Sequence, residues 1–263
     1  MTSQVAVYNL LGMAIASDTV ATQNSDRGYK TTGNAEKIYE IGPMHKAIVL
    51  HYGSTGLNDI HHQFHFSEWA RTVAKPLPKL TDYIKAYVKW TNTGPKLHSA
   101  DSENREMGFY IFDHFSYINH RLHQDWAGYP KGQKLNKAEK QKLWDDFVER
   151  MCQEGYDYLK KLDLFEGFTD AEARAALKAS KVDVDGVIKD AFRTHPLTAK
   201  AISILKRSAP LVLSRSQSMP TDSMLAFCGY GEKNPLAGVQ VIAMRGIYAG
   251  GLRYSIGELT AVS

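Results

Sequence analysis

Residues 2–18 read TSQVAVYNLLGMAIASD, and this stretch decides how the chain begins to fold. Two short apolar runs, at residues 5–8 and 13–16, are separated by Gly12. Runs of this length joined around a glycine are typical of a β-hairpin whose strands are covered on both faces. The sequence therefore predicts an opening hairpin that ends just before Asp18.

A second pair of strands is predicted shortly afterwards. Residues 37–41 alternate between polar and apolar side chains, and Gly42 and Pro43 supply a turn. Residues 47–50 then form an apolar run, which is typical of a buried strand. Four strands near the start of the chain predict the nucleus of a sheet.

The middle of the chain is polar and carries helix signals. We expect helices in five segments, 58–72, 78–94, 136–162, 183–193 and 197–207, and the start of a further helix at residues 169–172. The helix at 197–207 should stop before Pro210, because proline lacks the backbone N–H that a helix interior requires. Strand patterns then return at three segments: 224–228, 239–244 and 252–256. We expect Gly246 to end the second of these, and the whole pattern predicts an α+β fold.

The composition is that of a globular protein of 263 residues, with 43% hydrophobic and 23% charged residues. The net charge of +4 is dispersed along the chain, so we expect no nucleic-acid partner. Cys152 and Cys228 are far apart and in no metal-ligand spacing, which fits a reducing compartment. With no signal-peptide pattern and no stretch of roughly 20 apolar residues, we predict a cytoplasmic protein without membrane partner, metal or cofactor.

Thr2 directly follows the initiator methionine. Removal of Met1 would place a hydroxyl and a free α-amine on one residue, and an amine with a pKa of roughly 7.7–8.0 can accept the hydroxyl proton. A nearby lysine would favour the neutral amine, and a carboxylate would hold that lysine in place. Lys37 and Asp18 have the side chains for these roles. Taken alone, a threonine behind methionine and an aspartate at a strand end also have ordinary structural explanations.

The order of these residues resembles that of proteasome β-type subunits and the related bacterial proteasome-like peptidases. The matching phrases are ASDTVAT at residues 16–22 and EKIYEI at residues 36–41. A second block, MLAFCGYGEKNPLAGVQVIAM at residues 224–244 and YSIG at residues 254–257, resembles later strands of the same family. The two blocks cover about a hundred residues and stand in the family's order on either side of the helical middle.

The resemblance implies an N-terminal-nucleophile (Ntn) hydrolase with an αββα sandwich. Residues 1–94 would form the N-terminal half of the sandwich, residues 95–215 a helical insertion, and residues 216–263 the returning strands. Thr2 would be the nucleophile, Asp18 the carboxylate that orients the lysine, and Lys37 the charge that tunes the Thr2 amine. The remaining implied site residues donate to the oxyanion or line the substrate: Tyr52 or Gly53 as donor, with Val20 and Thr22. Implied partners are a peptide or amide substrate and further copies of the chain.

Four departures from the family pattern leave enzymatic activity open. Val20 replaces a usual arginine, and Glu258 stands where the family has a serine that supports the threonine amine. The chain ends at Ser263, before the family's last helices and strands, so the sandwich is expected to be incomplete at its C-terminus. A retained Met1 would block the Thr2 amine. The alternatives are a catalytically inactive relative that acts in assembly or partner binding through the helical insertion, and an unrelated α+β binding protein.

Three histidines, His61, His62 and His65, fall within one predicted helix turn, a spacing that can hold a metal. The sequence lacks the carboxylate of an HExxH motif there, so we expect a partly exposed helix face instead. Residues 109–117 hold five aromatic side chains and are expected to form packed core. Cys228 lies in an apolar strand and is expected to pack and not to react.

Overall fold

The computed structural model describes residues 4–8, 12–19, 21–25, 28–32, 36–126, 135–216, 222–234, 236–258 and 260–261. The fold is mixed α+β, as predicted. The chain divides into two compact units. The sheet unit comprises Met1–Ser99 and Ser218–Ser263, and the helical unit is Ala100–Gln217. Their assignment as a sandwich and its insertion stays a prediction.

The described strands all belong to the sheet unit. Their bounds are β1 (Gln4–Tyr8), β2 (Met13–Ser17), β3 (Ala21–Ser25), β4 (Gly28–Thr32), β5 (Ile38–Glu40), β6 (Ala47–Gly53), β7 (Gly56–Leu57), β8 (Ile60–His61), β9 (Ser223–Gly229), β10 (Gly238–Tyr248), β11 (Gly251–Ile256) and β12 (Thr260–Ala261). The described helices are α1 (His62–Ala70), α2 (Leu80–Thr93), α3 (Ala100–Trp126), α4 (Lys137–Lys161), α5 (Asp170–Ala179), α6 (Val184–Ala191) and α7 (Ala199–Ser214). Among them, no helix is long and apolar enough to cross a membrane.

The main sheet has the strand order β11-β10-β9-β6-β5, and β12 also pairs with β10. Every pairing in it is antiparallel. At its centre β6 pairs with β9 along their whole lengths, from Ala47 opposite Gly229 to Gly53 opposite Ser223. The two blocks of sequence that flank the helical unit therefore meet in the middle of one sheet.

Helices α1 and α2 cover one face of this sheet. Trp69 of α1 and Tyr87 of α2 are fully buried, and their rings lie 6.0 and 6.1 Å from the ring of Phe227 on β9. Val49 of β6 belongs to the same cluster. Large aromatic side chains bury much apolar area and favour such edge-to-face packing, so this interface forms the larger core of the sheet unit.

The hairpin β1–β2 covers the opposite face. Met13 and Ile15 pack against a cluster that contains Leu50, Ala226 and Cys228, which alternate with the residues facing the helices. Cys228 is fully buried there, which confirms the prediction that it packs, and burial raises the pKa of its thiol to about 12. The sheet unit thus has three layers: two helices, the main sheet and a hairpin.

The opening hairpin was predicted correctly, but the prediction that both of its faces are covered was wrong. Val5 and Val7 are 58% and 65% exposed, and Ala14 and Ala16 lie opposite them on the same outer face. Successive side chains of a strand point to opposite faces, so only one face of this hairpin can reach the main sheet.

Two further features of the strands differ from what the sequence predicts. The segment between Asp18 and Lys37, for which no strand was predicted, contains the hairpin β3–β4. Gly246 does not end β10, which runs on to Tyr248. The register with β11 shifts between Met244 and Gly246, so the glycine marks a bulge that the strand passes through.

The predicted helix at 58–72 begins later than expected. Residues 56–61 form the small β7–β8 hairpin, whose turn residues Asn58 and Asp59 have φ values of 50° and 66°. These left-handed conformations are incompatible with a right-handed helix. The Asn58 side chain donates to the carbonyl of Ile247 and accepts from its N–H, at 2.7 and 2.6 Å, which fixes the turn against β10.

In the helical unit, α7 contacts α3, α4, α5 and α6. The expectation that this helix stops before Pro210 was wrong, because α7 continues to Ser214. Leu211, Val212 and Leu213 are buried, so packing beyond the proline offsets the hydrogen bond that proline removes.

The expectation of aromatic core at residues 109–117 holds only in part: Tyr110 and Phe115 are buried, whereas Phe109, Phe112 and Tyr117 are exposed.

Candidate functional site

The structure brings Asp18 and Lys37 into contact. Asp18 directly follows β2, and Lys37 directly precedes β5. The Lys37 Nζ lies 2.5 Å from Asp18 Oδ1, and the two side chains are 6% and 27% exposed. A lysine with so little access to water is stable in its charged form only beside such a partner. This ion pair is the centre of the candidate site.

Two further contacts bring β1 and β6 to the same place. The Gln4 side chain donates from Nε2 to the carbonyl of His51, at 2.7 Å. The N–H of His51 donates to the carbonyl of Lys37, at 2.9 Å. The start of β1, the end of β2, the start of β5 and the end of β6 therefore converge around the Lys37–Asp18 pair.

The structure describes only some of the other site residues that were predicted from the sequence. Thr2 and Val20 lie outside the described residues. Thr22 lies on β3, and its side chain is outside what the structure describes. Tyr52 and Gly53 are the last two residues of β6, next to His51 in the chain. The catalytic roles of all these residues stay predictions.

Gly53 occupies a position that only glycine fits. Its φ of +89° lies in the left-handed region, and a Cβ there would lie 2.3 Å from the carbonyl oxygen of Asp222. The tight pairing of Gly53 with Ser223 thus requires the absence of a side chain. After Gly53 the chain turns through residues 54 and 55 into β7, and we call residues 53–56 the β6–β7 turn.

The direction of the backbone N–H distinguishes Tyr52 from Gly53 as candidate oxyanion donors. Backbone groups of a strand point alternately to its two neighbours, and the N–H of His51 points to β5. Two residues later, the N–H of Gly53 is directed to the same side, beyond the start of β5 at Ile38. The N–H of Tyr52 is directed instead to β9, where Tyr52 pairs with Met224. Gly53 therefore directs its donor to the side on which Lys37 lies.

A buried polar network supports the β6–β7 turn. The Ser223 hydroxyl lies 3.1 Å from the Gly56 carbonyl and 3.3 Å from the Ser54 carbonyl. Nε2 of His62 lies 2.9 Å from the same hydroxyl. The His51 ring hydrogen-bonds the Ser54 carbonyl and lies 4.5 Å from the His62 ring. Three buried side chains from three elements thus meet beneath one exposed turn.

The histidines of this network are held neutral by their surroundings. Burial lowers the pKa of His51, an effect that neighbouring His61 and Lys37 reinforce and the bond to Ser54 opposes. Burial lowers the pKa of His62 even further, and the adjacent histidines add to this shift. Neutral rings carry one proton each, so each can donate one directed hydrogen bond.

The expectation of a partly exposed histidine face on α1 was wrong for two of the three residues. His61 is exposed, but His62 and His65 are buried because this side of α1 faces the sheet and α2. His65 Nδ1 lies 3.1 Å from the hydroxyl of Tyr87. Within the described ranges, no group of three or more histidine, cysteine, aspartate or glutamate side chains could hold a metal.

The sequence interpretation missed a second buried ion pair next to the turn. Arg245 Nε lies 3.4 Å from Asp222 Oδ1, and the two side chains are 1% and 5% exposed. Asp222 is also the residue whose carbonyl abuts Gly53. The sequence does place an arginine inside the apolar run of β10, and this could have indicated the pair, because a charge in a buried strand requires a partner.

The geometry therefore combines a buried lysine with its carboxylate, a backbone donor directed to the same side, and a rigid polar support. The positive charge of a lysine in this setting can favour the neutral form of a neighbouring amine, and a directed N–H can stabilise a developing oxyanion. Comparison of the chain with models of known protein families, with curated proteins and with solved structures finds no match.

Proposed function

We propose that the chain is a proteasome-like N-terminal threonine hydrolase that cleaves peptide or other amide bonds. The observation that carries the proposal is the ion pair between buried Lys37 and Asp18, which joins two residues that the family resemblance alone had singled out. The Gln4 contact to His51 adds support, because it anchors β1 beside this pair two residues after Thr2.

In the proposed reaction, the α-amine of Thr2 accepts the proton of the Thr2 hydroxyl. The positive charge of Lys37 favours the neutral, proton-accepting form of that amine, and Asp18 holds the lysine in place. Oγ attacks the amide carbonyl, the C–N bond breaks, and the leaving amine takes the proton. Water then hydrolyses the ester formed on Thr2. The N–H of Gly53 stabilises the oxyanion in both steps.

The layer order of the sheet unit supports the proposed Ntn fold. Two helices, a sheet and a strand layer stacked in this sequence match three of the four layers of an αββα sandwich. We further propose that copies of the chain assemble with one another, as the resemblance implies. Light scattering coupled to size-exclusion chromatography would measure the assembly, and a monomer at all accessible concentrations would contradict it.

The decisive test is intact-mass analysis followed by reaction with a peptide electrophile, such as a peptidyl β-lactone. We expect a mass without Met1 and one stoichiometric adduct that peptide mapping places on Thr2. The variant T2A should form no adduct, whereas T93A, at an exposed position of α2, should react as the unmodified sequence does. A retained Met1, or an adduct that survives T2A, would refute the proposal.

A second candidate is a catalytically inactive relative of the same fold that binds a partner. Two observations favour it: the helical unit is a compact body of its own, and Glu258 is exposed at the position where the family carries a serine. For this candidate we expect a retained Met1 and no adduct, with the assembly unchanged. The same two measurements therefore separate the two functions.

A further inference from the structure

The direction of each hydrogen bond in the network beneath the β6–β7 turn can be assigned. A carbonyl oxygen only accepts, so the bond from His51 to Ser54 requires a proton on His51 Nε2. For the same reason the Ser223 hydroxyl donates its one proton to the turn, at the carbonyls of Gly56 and Ser54. The Ser223 oxygen is then the acceptor for His62 Nε2. The hydrogen bonds are therefore oriented in one direction: His62 donates to Ser223, and Ser223 donates to the turn.

This network acts on a turn that also carries a local bond, from the Ser54 hydroxyl to the Gly56 carbonyl, at 3.1 Å. Gly53 can adopt many conformations, and its φ of +89° is one that most residues avoid. Ser54 and Thr55 are exposed and contribute no core packing. The turn is also bound from below, because the N–H of His62 donates to the Thr55 carbonyl, at 3.1 Å. Three successive carbonyls, at residues 54–56, are thus bound by buried donors.

We propose that Ser223 and His62 are positioning residues for the oxyanion donor, acting through the β6–β7 turn on the N–H of Gly53. The inference rests on the proposed function, since it concerns the same site. Ser223 pairs with Gly53 across the β6–β9 ladder, so the residue that binds the turn also sets the backbone position of the donor. Displacement of a catalytic group by about 1 Å can cost roughly a hundredfold in rate.

Two probes with different chemistry separate positioning from general structural support. With a peptidyl β-lactone, Thr2 Oγ bonds to the lactone carbonyl carbon, the ring C–O bond breaks, and the hydroxyl proton passes to the ring oxygen. An oxyanion forms on the attacked carbon during this step. With a peptidyl vinyl sulfone, Oγ adds to the vinyl carbon that carries the peptide, and the proton passes to the vinyl carbon beside sulfur. No oxyanion forms on the attacked carbon.

The experiment compares second-order rate constants for both probes in the full chain after removal of Met1. We expect S223A to lower the β-lactone rate about ten- to hundredfold and to change the vinyl sulfone rate little. S223T, which restores the hydroxyl, should recover most of the loss, and H62Q, which keeps a donor near the Nε2 position, should react at close to the unmodified rate. The matched control is S208A, which removes a buried serine hydroxyl that donates to Ile204 within α7.

Each outcome has a defined meaning. A selective loss of β-lactone reactivity in S223A, recovered in S223T, supports the inference. If both rates fall together, or if neither falls, Ser223 does not position the donor and the inference is wrong while the proposed function stands. If the unmodified sequence reacts with neither probe, the proposed function fails and the inference fails with it. Circular dichroism of S223A checks that the sheet unit has folded.

Discussion

The sheet unit and the helical unit bury different kinds of polar group. In the part of the chain that the structure describes, every buried charged side chain lies in the sheet unit: Lys37, Asp222, Arg245 and Arg253. The helical unit buries only hydroxyls and one imidazole: Ser102, Ser208, Ser214 and His114. Several of its ion pairs lie nearer the surface, as for Lys206 and Asp185, whereas Arg215 and Asp170 form a pair whose side chains are only 13% and 29% exposed.

This difference indicates where chemistry is to be expected. A buried charge costs stability unless it is paired, whereas a buried hydroxyl that bonds a carbonyl of its own helix costs little. Perturbed ionisable groups concentrate at functional sites, although structural ion pairs share this property. The contrast therefore supports a site in the sheet unit and a packing role for the interior of the helical unit.

The contrast is tested most strongly by removing one charge from each unit. R245M takes the guanidinium away from the buried Asp222 carboxylate, and we expect a loss of about 4 kcal/mol in the free energy of unfolding. K206M removes one partner of an exposed pair, whose side chains are 47% and 67% exposed, and should cost about 0.5 kcal/mol or less. Urea unfolding monitored by tryptophan fluorescence measures both.

The double variant D222N/R245M serves as the control for this comparison. If the loss in R245M comes from an uncompensated charge, neutralising Asp222 should restore part of the stability. Equal losses of unfolding free energy in R245M and K206M would mean that the buried pair stabilises the fold no more than the exposed pair does. The contrast between the two units would then have no consequence for stability.

Acid should destabilise the sheet unit through its buried histidines. Burial, with a smaller contribution from His98, lowers the pKa of His65 to about 4, against about 6.5 in the unfolded chain. Between these values the unfolded chain binds a proton that the folded chain does not, so stability falls as the pH is lowered through this window. For His65 alone the loss between pH 7.5 and pH 5 is about 2 kcal/mol.

The variant H65Q cannot titrate, so its stability should fall by about 2 kcal/mol less over the same pH range. H120Q, at an exposed position of α3 in the helical unit, is the matched control, in which the histidine removed is not buried. Unfolding in urea at several pH values measures the slopes. An identical slope in H65Q and in the unmodified sequence would exclude this histidine as a source of acid sensitivity.

The smallest expected effect concerns a helix cap in the helical unit. The hydroxyl of Thr169 accepts from the N–H of Glu172, at 3.2 Å, and the Glu172 carboxylate accepts from the N–H of Thr169, at 2.8 Å. T169A should cost about 1 kcal/mol, and T169S should restore most of it. Thermal unfolding followed by circular dichroism checks this. Equal stability of the two variants would show that the cap adds nothing to the unit.

Much of the architecture could be predicted because it depends on local patterns. Apolar runs and turn residues indicated the hairpin β1–β2 and the strands β5 and β6, and helical periodicity indicated α2 and α4. The errors at Gly246 and Pro210 have one cause. Packing against residues distant in the chain stabilises β10 beyond the glycine and α7 beyond the proline, although such residues usually end a strand or a helix.

The candidate site was predictable only in the part that a family resemblance could carry. That resemblance pointed to Asp18 and Lys37, which the structure brings into contact. The pairing of Arg245 with Asp222, and of Ser223 with His62, depends on the register of β9 against β6 and β10, which no local pattern sets. Which side of α1 is buried likewise depends on how the helix lies against the sheet.

The central pairing of β6 with β9 has a consequence for how the chain folds. These strands are neighbours in the sheet, yet Ser54 and Ser223, which meet at its end, are 169 positions apart in the chain. During synthesis the whole helical unit emerges before β9 does, and strands with such distant partners form slowly. Until then β6 has an unpaired edge that invites association with other chains. A helical unit that folds early would shorten the loop to be closed, and would thereby speed completion of the sheet.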